Sequence, residues 1–262
     1  MTEFVTSKDG TRIAYEKVGS GPALVLVDGA MCYRDFGPCR SAATAFSDRY
    51  TVYFYDRRGR GESGDSPEYA PEREYEDLAA VIDATGEEAY VLGYSSGGAL
   101  VLQAAASGVR MRKLASYEAP YVGIAEKKGV KPDFLAELKS RLARGDRGGA
   151  VGYFMVDMVG GPAFLPLMMR LMPKVFTSLK AVAHTLPYDA TIMHGFEVPT
   201  ATLSRITTPA LVMGGSKAKP NMVAAVDGVA SAIPGSIKRT LAGQTHQVKD
   251  DAIKPELVGF FA

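Results

Sequence analysis

Short apolar runs bounded by glycine, proline or aspartate recur at residues 23–27, 51–55, 89–94, 114–117, 210–213 and 237–241. Runs this apolar predict strands buried on both faces. Ahead of them, residues 4–18 alternate apolar and polar around Lys8-Asp9-Gly10, a turn signal that predicts an opening hairpin. Between several of the runs, residues 75–84, 98–106 and 222–232 carry apolar side chains near helical spacing and predict helices. Parallel neighbours need a long crossover, so this alternation predicts a mostly parallel sheet flanked by helices. The expected fold class is α/β.

The rhythm breaks once. No strand-like run lies between Glu118 and Pro209, so a helical insertion is expected there. Residues 1–121 and 209–262 would then form the core, and residues 122–208 a helical cap. The cap's first helix is expected to open at Lys131-Pro132, to set Phe134, Leu135, Leu138 and Leu142 on one face, and to stop at Gly145. Lysines and arginines between Lys127 and Arg147 fit the solvated side of that helix. Further on, Met155, Met158, Met168, Met169 and Met172 mix with Phe154, Phe164, Leu165, Leu167 and Leu171. Methionine adapts its shape, so this stretch could line an apolar pocket or simply pack the cap onto the core.

Composition narrows the classes. The 262 residues carry 30 Lys+Arg against 29 Asp+Glu, a formal charge of +1. Nucleic-acid and electrostatic membrane binders need a basic excess, so neither partner is expected. The N-terminus has no basic region followed by an apolar stretch, which suggests a cytoplasmic protein. Cys32 and Cys39 are too few for a disulfide framework and are expected as reduced thiols. No phosphate-binding glycine motif and no paired histidines or Cys/His cluster are present, so neither cofactor nor metal is expected. A homodimer stays open.

The most informative string is Gly93-Tyr94-Ser95-Ser96-Gly97, which closes one apolar run and opens a helix-like stretch. Glycines two before and two after the serine permit a sharp strand-to-helix turn that holds its hydroxyl out at the sheet edge. The helix start also brings free amides that can bind developing negative charge.

With this elbow the chain resembles the α/β-hydrolase family, and the resemblance spans nearly its whole length. It also has Asp56-Arg57-Arg58-Gly59-Arg60-Gly61-Glu62-Ser63, similar to the family's D-x-R-G-x-G-x-S segment, and Gly243-Gln244-Thr245-His246 after the last strand, where the family keeps its histidine. The charged Asp56 segment reads best as a turn whose side chains brace neighbouring loops.

A serine hydroxyl needs a base to act as a nucleophile, and histidine has a suitable pKa. Of three histidines, His184 and His194 fall in the insertion, while His246 follows a strand in a glycine-rich turn. His246 is therefore the expected base. The resemblance implies two backbone oxyanion donors, the amide of Ser96 and that of Ala30 in the loop Asp28-Gly29-Ala30. The family usually has His-Gly where this chain has Asp28-Gly29. Asp28 could bond loop amides or an arginine such as Arg34 or Arg57, or it could serve binding or proton transfer. Asp28, Gly29 and Tyr94 are kept as residues that could touch or support substrate.

A second departure concerns the acid. In the family it usually follows the strand after the insertion, but here Gly214-Gly215-Ser216-Lys217-Ala218-Lys219-Pro220 offers no carboxylate. Some relatives place it one strand earlier, and this chain has Glu118 there. Glu118 would orient the imidazole and stabilise its cation; Asp227, Asp28 or a dyad without an acid are the alternatives. The expected reaction is carboxylesterase-like acyl transfer through Ser95 on a small or medium hydrophobic ester or thioester. A carbon–carbon bond hydrolase, a lyase or a cofactor-free perhydrolase of the haloperoxidase kind is the alternative on the same fold, and a ligand-sensing binding protein the second.

Overall fold

The computed structural model describes residues 1–123 and 133–262. Its eight strands are β1 (Glu3–Thr6), β2 (Arg12–Val18), β3 (Ala23–Val27), β4 (Thr51–Tyr55), β5 (Tyr90–Tyr94), β6 (Lys113–Tyr117), β7 (Ala210–Gly215) and β8 (Ile237–Leu241). They form one sheet in the order β1-β2-β4-β3-β5-β6-β7-β8. The hairpin β1–β2 is antiparallel and joins the sheet antiparallel to β4; every other pairing is parallel.

Alternation of side chains splits the core into two layers. Val25, Val27, Val91 and Val212 face helices α2 (Pro71–Asp83) and α3 (Ser96–Ala106) and a third helix, Pro220–Ala232. Leu24, Leu26, Leu92 and Met213 face α1 (Cys39–Phe46) and the last helix, Asp250–Phe261. Each such fully buried aliphatic side chain contributes roughly 1.5–3 kcal/mol relative to exposure. One predicted strand differs: β8 is a sheet edge with Ile237, Lys238, Arg239 and Thr240 exposed, so it is not buried on both faces.

Between β6 and β7 the described chain is helical: α4 (Phe134–Ala143), α5 (Arg147–Gly152), a π-helical turn at Tyr153–Met158, α6 (Leu165–Arg170), α7 (Pro173–Ala181), α8 (Leu186–Ile192) and α9 (Thr200–Leu203). The helices flanking the last two strands are thus α10 (Pro220–Ala232) and α11 (Asp250–Phe261). The helix start expected at Lys131-Pro132 lies outside the described residues. α4 is capped by Asp133, whose carboxylate accepts the Ala136 amide at 2.9 Å. Leu138 is fully buried, with Phe134, Leu135 and Leu142 packed around it, and Gly145 ends the turn at φ 75°.

The methionine-rich stretch divides rather than lining one pocket. Phe154, Met158 and Met169 are buried in the core of the helical excursion, where Leu165 also packs. Phe164, Leu167, Met168, Leu171 and Met172 instead point to solvent. Spaced by three and four residues, they follow a helical stripe on the outer side of α6.

Candidate active site

β3 and β5 are neighbours, but the chain leaves β3 for β4 on one side and β5 for β6 on the other. Loops that diverge in this way leave a crevice at the carboxyl ends of the strands. Residues 28–30 after β3 and the elbow 93–97 after β5 border it.

The elbow is built on close approach. A Cβ on Gly93 would meet the Gly97 carbonyl oxygen at 2.4 Å, and one on Gly97 would meet that of Val27 at 2.4 Å. Ser95 itself has φ 53° and ψ −124°, a costly conformation for a residue with a side chain. Its amide donates to the Tyr117 carbonyl at 2.9 Å, tying the turn to β6.

Glu118, the first residue beyond β6, also has a positive φ, 47°. Its amide donates to the Met213 carbonyl at 2.9 Å, and its Oε1 accepts the Gly215 amide at 2.8 Å. The other oxygen, Oε2, lies 2.7 Å from His246 Nδ1, and His246 Nε2 lies 3.1 Å from Ser95 Oγ. With Nδ1–H facing a carboxylate, Nε2 is left to accept the serine proton. Glu118 is buried while the His246 side chain is 45% exposed, so the relay runs from the dry interior to the open crevice. The histidine loop is fastened by the Tyr117 hydroxyl, which donates to the Thr245 carbonyl at 2.6 Å.

Gly29 seats the β3 loop on the elbow: a Cβ there would be 3.1 Å from that of Ser95. Ser96 opens α3, so its amide has no intrahelical acceptor and is free to serve a ligand. Ala30, Tyr33 and Phe36 pack with Met31 against the apolar core of the helical excursion.

Asp28 departs from both pairings considered for it. Arg34 goes to Asp56, Glu16 and Glu62 instead. Arg57 reaches only the Asp28 carbonyl, at 3.4 Å, and the buried carboxylate instead faces the thiol and amide of Cys39 at the start of α1. Burial pushes this carboxyl up to about 7, against the opposing influence of Cys39 and the charges of Arg60 and Arg57. The Tyr94 side chain packs in the layer of α1 and α11 with Cys39, Leu92 and Tyr117, while its carbonyl lies against Gly29. Asp227, on α10, sits 2.7 Å from Lys238. His184 is 3.8 Å from Asp65, with burial lowering its pKa, and His194 is exposed. Both cysteines are free.

The Asp56–Ser63 turn braces its surroundings, as its composition suggests. Asp56 accepts the amides of Arg34 at 2.7 Å and Glu62 at 2.9 Å, and Arg58 pairs with Asp77 and Asp9. Two of its arginines do something the sequence did not signal. Arg57 and Arg60 turn inward to a buried carboxylate, Asp189 of α8, at 2.8 and 2.7 Å. Nothing in the local string around Asp189 marks it, because its arginine partners are more than 120 residues away. Among the described residues no group of His, Cys, Asp and Glu could hold a metal ion, and no helix is long and apolar enough to cross a membrane.

A family model described as the alpha/beta hydrolase family matches residues 24–250. The chain is also similar to an alpha/beta hydrolase from Sphaerobacter thermophilus DSM 20745, with 46% identity over 99% of this chain and 100% of that one and a TM-score of 0.91. Two more distant structures share the fold. One is a 2-hydroxy-6-oxo-6-phenylhexa-2,4-dienoate hydrolase from Rhodococcus sp. strain RHA1, at 18% identity, TM-score 0.72 and coverage of 100% and 99% of the two chains. The other is an esterase from Rhodococcus sp. ECU1013, at 22% identity, TM-score 0.68 and coverage of 99% and 98%.

Proposed function

Because the chain belongs to the α/β-hydrolase family, we propose that it is a serine hydrolase that cleaves a small or medium hydrophobic ester or thioester through an acyl-enzyme on Ser95. The observation that carries this reading is the unbroken relay of 2.7 and 3.1 Å from Glu118 through His246 to Ser95.

His246 takes the Ser95 proton as the hydroxyl oxygen attacks the carbonyl carbon, and Glu118 stabilises the imidazolium that forms. The carbonyl oxygen becomes an oxyanion facing the Ser96 and Ala30 amides, which need no reorganisation to receive it. His246 then returns the proton to the departing alcohol or thiol. Water, activated by the same imidazole, releases the acid and restores Ser95. Preference for an apolar acyl group is supported by the cluster that joins Met31, Phe36, Phe154 and Phe196 beside the oxyanion loop. The helical residues between β6 and β7 act in this reading as the cap of the site.

The test is treatment with a fluorophosphonate probe beside a series of p-nitrophenyl esters. Labelling together with steady hydrolysis, both lost in Ser95→Ala, is the expected result. Labelling without ester turnover would overturn the ester assignment, and turnover that survives in Ser95→Ala would overturn the nucleophile.

A further inference from the structure

The interior beneath the elbow holds four charged side chains that the acyl-transfer reading does not use. Arg57, Arg60, Glu74 and Asp189 are each at most 2% exposed. Two guanidinium groups and two carboxylates balance in charge, as a buried cluster must. Glu74 takes the outer edge of Arg57 in a bidentate pair of 2.6 and 2.9 Å. Asp189 is the hub. Its Oδ1 accepts from Arg57 Nη1 and from the Ser96 hydroxyl, both at 2.8 Å, and its Oδ2 accepts from Arg60 Nη2 at 2.7 Å.

What these arginines hold beyond Asp189 is informative. Arg60 Nη1 donates to the Gly29 carbonyl at 2.8 Å and to that of Cys32 at 3.2 Å. Arg57 Nη1 donates to the Ser96 hydroxyl at 3.2 Å as well as to the Asp28 carbonyl. The Gly29 carbonyl and the Ala30 N–H belong to one planar peptide group and point in opposite directions when it is trans, and the chain has no cis bond among the described residues. Holding that oxygen with a guanidinium therefore aims the Ala30 N–H the other way. A cation on the oxygen also polarises the amide and strengthens its N–H as a donor. On the other wall, Asp189 fixes the side chain of Ser96, the residue whose amide is the second donor.

We propose that Asp189 is a positioning residue that sets both oxyanion amides from behind, the Ser96 amide through its own hydroxyl and the Ala30 amide through Arg60 and the Gly29 carbonyl. This rests on the reading of Ser95 as an acyl-transfer nucleophile. Asp189 comes from the helical excursion, so docking of α8 completes the oxyanion site. The dock is firm: Tyr188 stacks on Tyr69 of the core at 3.8 Å between ring centroids and 1° between planes, and its hydroxyl reaches Asp65 at 3.1 Å. Thr185, just before α8, accepts from Arg60 Nε at 3.1 Å.

The experiment compares Ser96→Ala and Asp189→Asn with the unaltered enzyme and with Ser95→Ala. Active sites are titrated with a fluorophosphonate, kcat and KM are measured on p-nitrophenyl butyrate, and inhibition is measured with an alkyl trifluoromethyl ketone, whose adduct carries an oxyanion. Ser96→Ala deletes only a hydroxyl and keeps the amide. Loss of a whole oxyanion donor costs about 100- to 1,000-fold, so a donor that is only misaimed is expected to cost on the order of tenfold in kcat. KM should stay within about twofold, and trifluoromethyl ketone affinity should weaken in parallel with kcat. Asp189→Asn should follow with a larger loss, and if it does not fold, Ser96→Ala decides. Unchanged kcat per titrated site and unchanged ketone affinity in Ser96→Ala would overturn the proposal while leaving Ser95 in place. Turnover in Ser95→Ala, or an unaltered enzyme that takes no label, would overturn the hydrolase reading and this inference with it.

Discussion

Glu118 and Asp28 are both buried carboxylates on loops that border the candidate site, yet their surroundings give them different work. Glu118 accepts from an amide and faces an imidazole, so its charge is compensated where it stands. Replacing it by glutamine keeps the shape and removes the charge that favours the imidazolium. A kcat lower by about 100- to 10,000-fold is expected on p-nitrophenyl esters, with KM little altered. The carboxyl of Asp28 faces Cys39 rather than a paired cation, and burial lifts its pKa from 3.8 to about 7. The folded chain therefore keeps a proton that the unfolded chain releases. This stabilisation is complete below pH 4 and is lost as the pH climbs through about 7. Asp28→Asn does not titrate. Urea unfolding of both proteins at pH 5 and pH 8 should show the difference moving in favour of the variant by roughly 2–3 kcal/mol between the two.

At the scale of elements, β3 to β5 and β7 were readable because each is a compact apolar run, the opening hairpin because it alternates around a turn, and the crossover helices because they carry a local period. The elbow was readable for the same reason: strand, turn and helix are contiguous in the chain. Two helices, α1 and α11, were not. α1 is built of small and polar residues with few large apolar ones, and α11 contains Pro255, which argues against a helix in the local string. The edge position of β8 also depends on which strands pair, which no local pattern states. In the helical excursion the apolar periodicity overstates burial, since the same residue types fill its core and cover its outer face. The two should respond differently to truncation. Leu138→Ala, at a fully buried site, is expected to cost about 2–5 kcal/mol in chemical unfolding. Leu171→Ala, where the residue is 78% exposed, should change stability by no more than about 0.5 kcal/mol.

For the molecule as a whole, parallel topology is what gathers the candidate site. Ser95, Glu118 and His246 follow β5, β6 and β8, and in a parallel sheet the ends of those strands share one edge. Their convergence was expected from the family resemblance, and Glu118, the acid candidate after β6 rather than β7, lies 2.7 Å from His246. Asp189 could not be read, because its place depends on how the helical excursion folds back over Arg57 and Arg60. The catalytic account stands on a covalent intermediate at the elbow, and rapid acid quenching after mixing with p-nitrophenyl acetate, followed by mass spectrometry of the peptides, tests it most directly. An acetyl group on Ser95 that forms and decays with turnover, and that is absent from Ser95→Ala, is the predicted result. Turnover with no adduct on Ser95 under conditions where acylation outpaces release, or with the acetyl group on another residue, would contradict it.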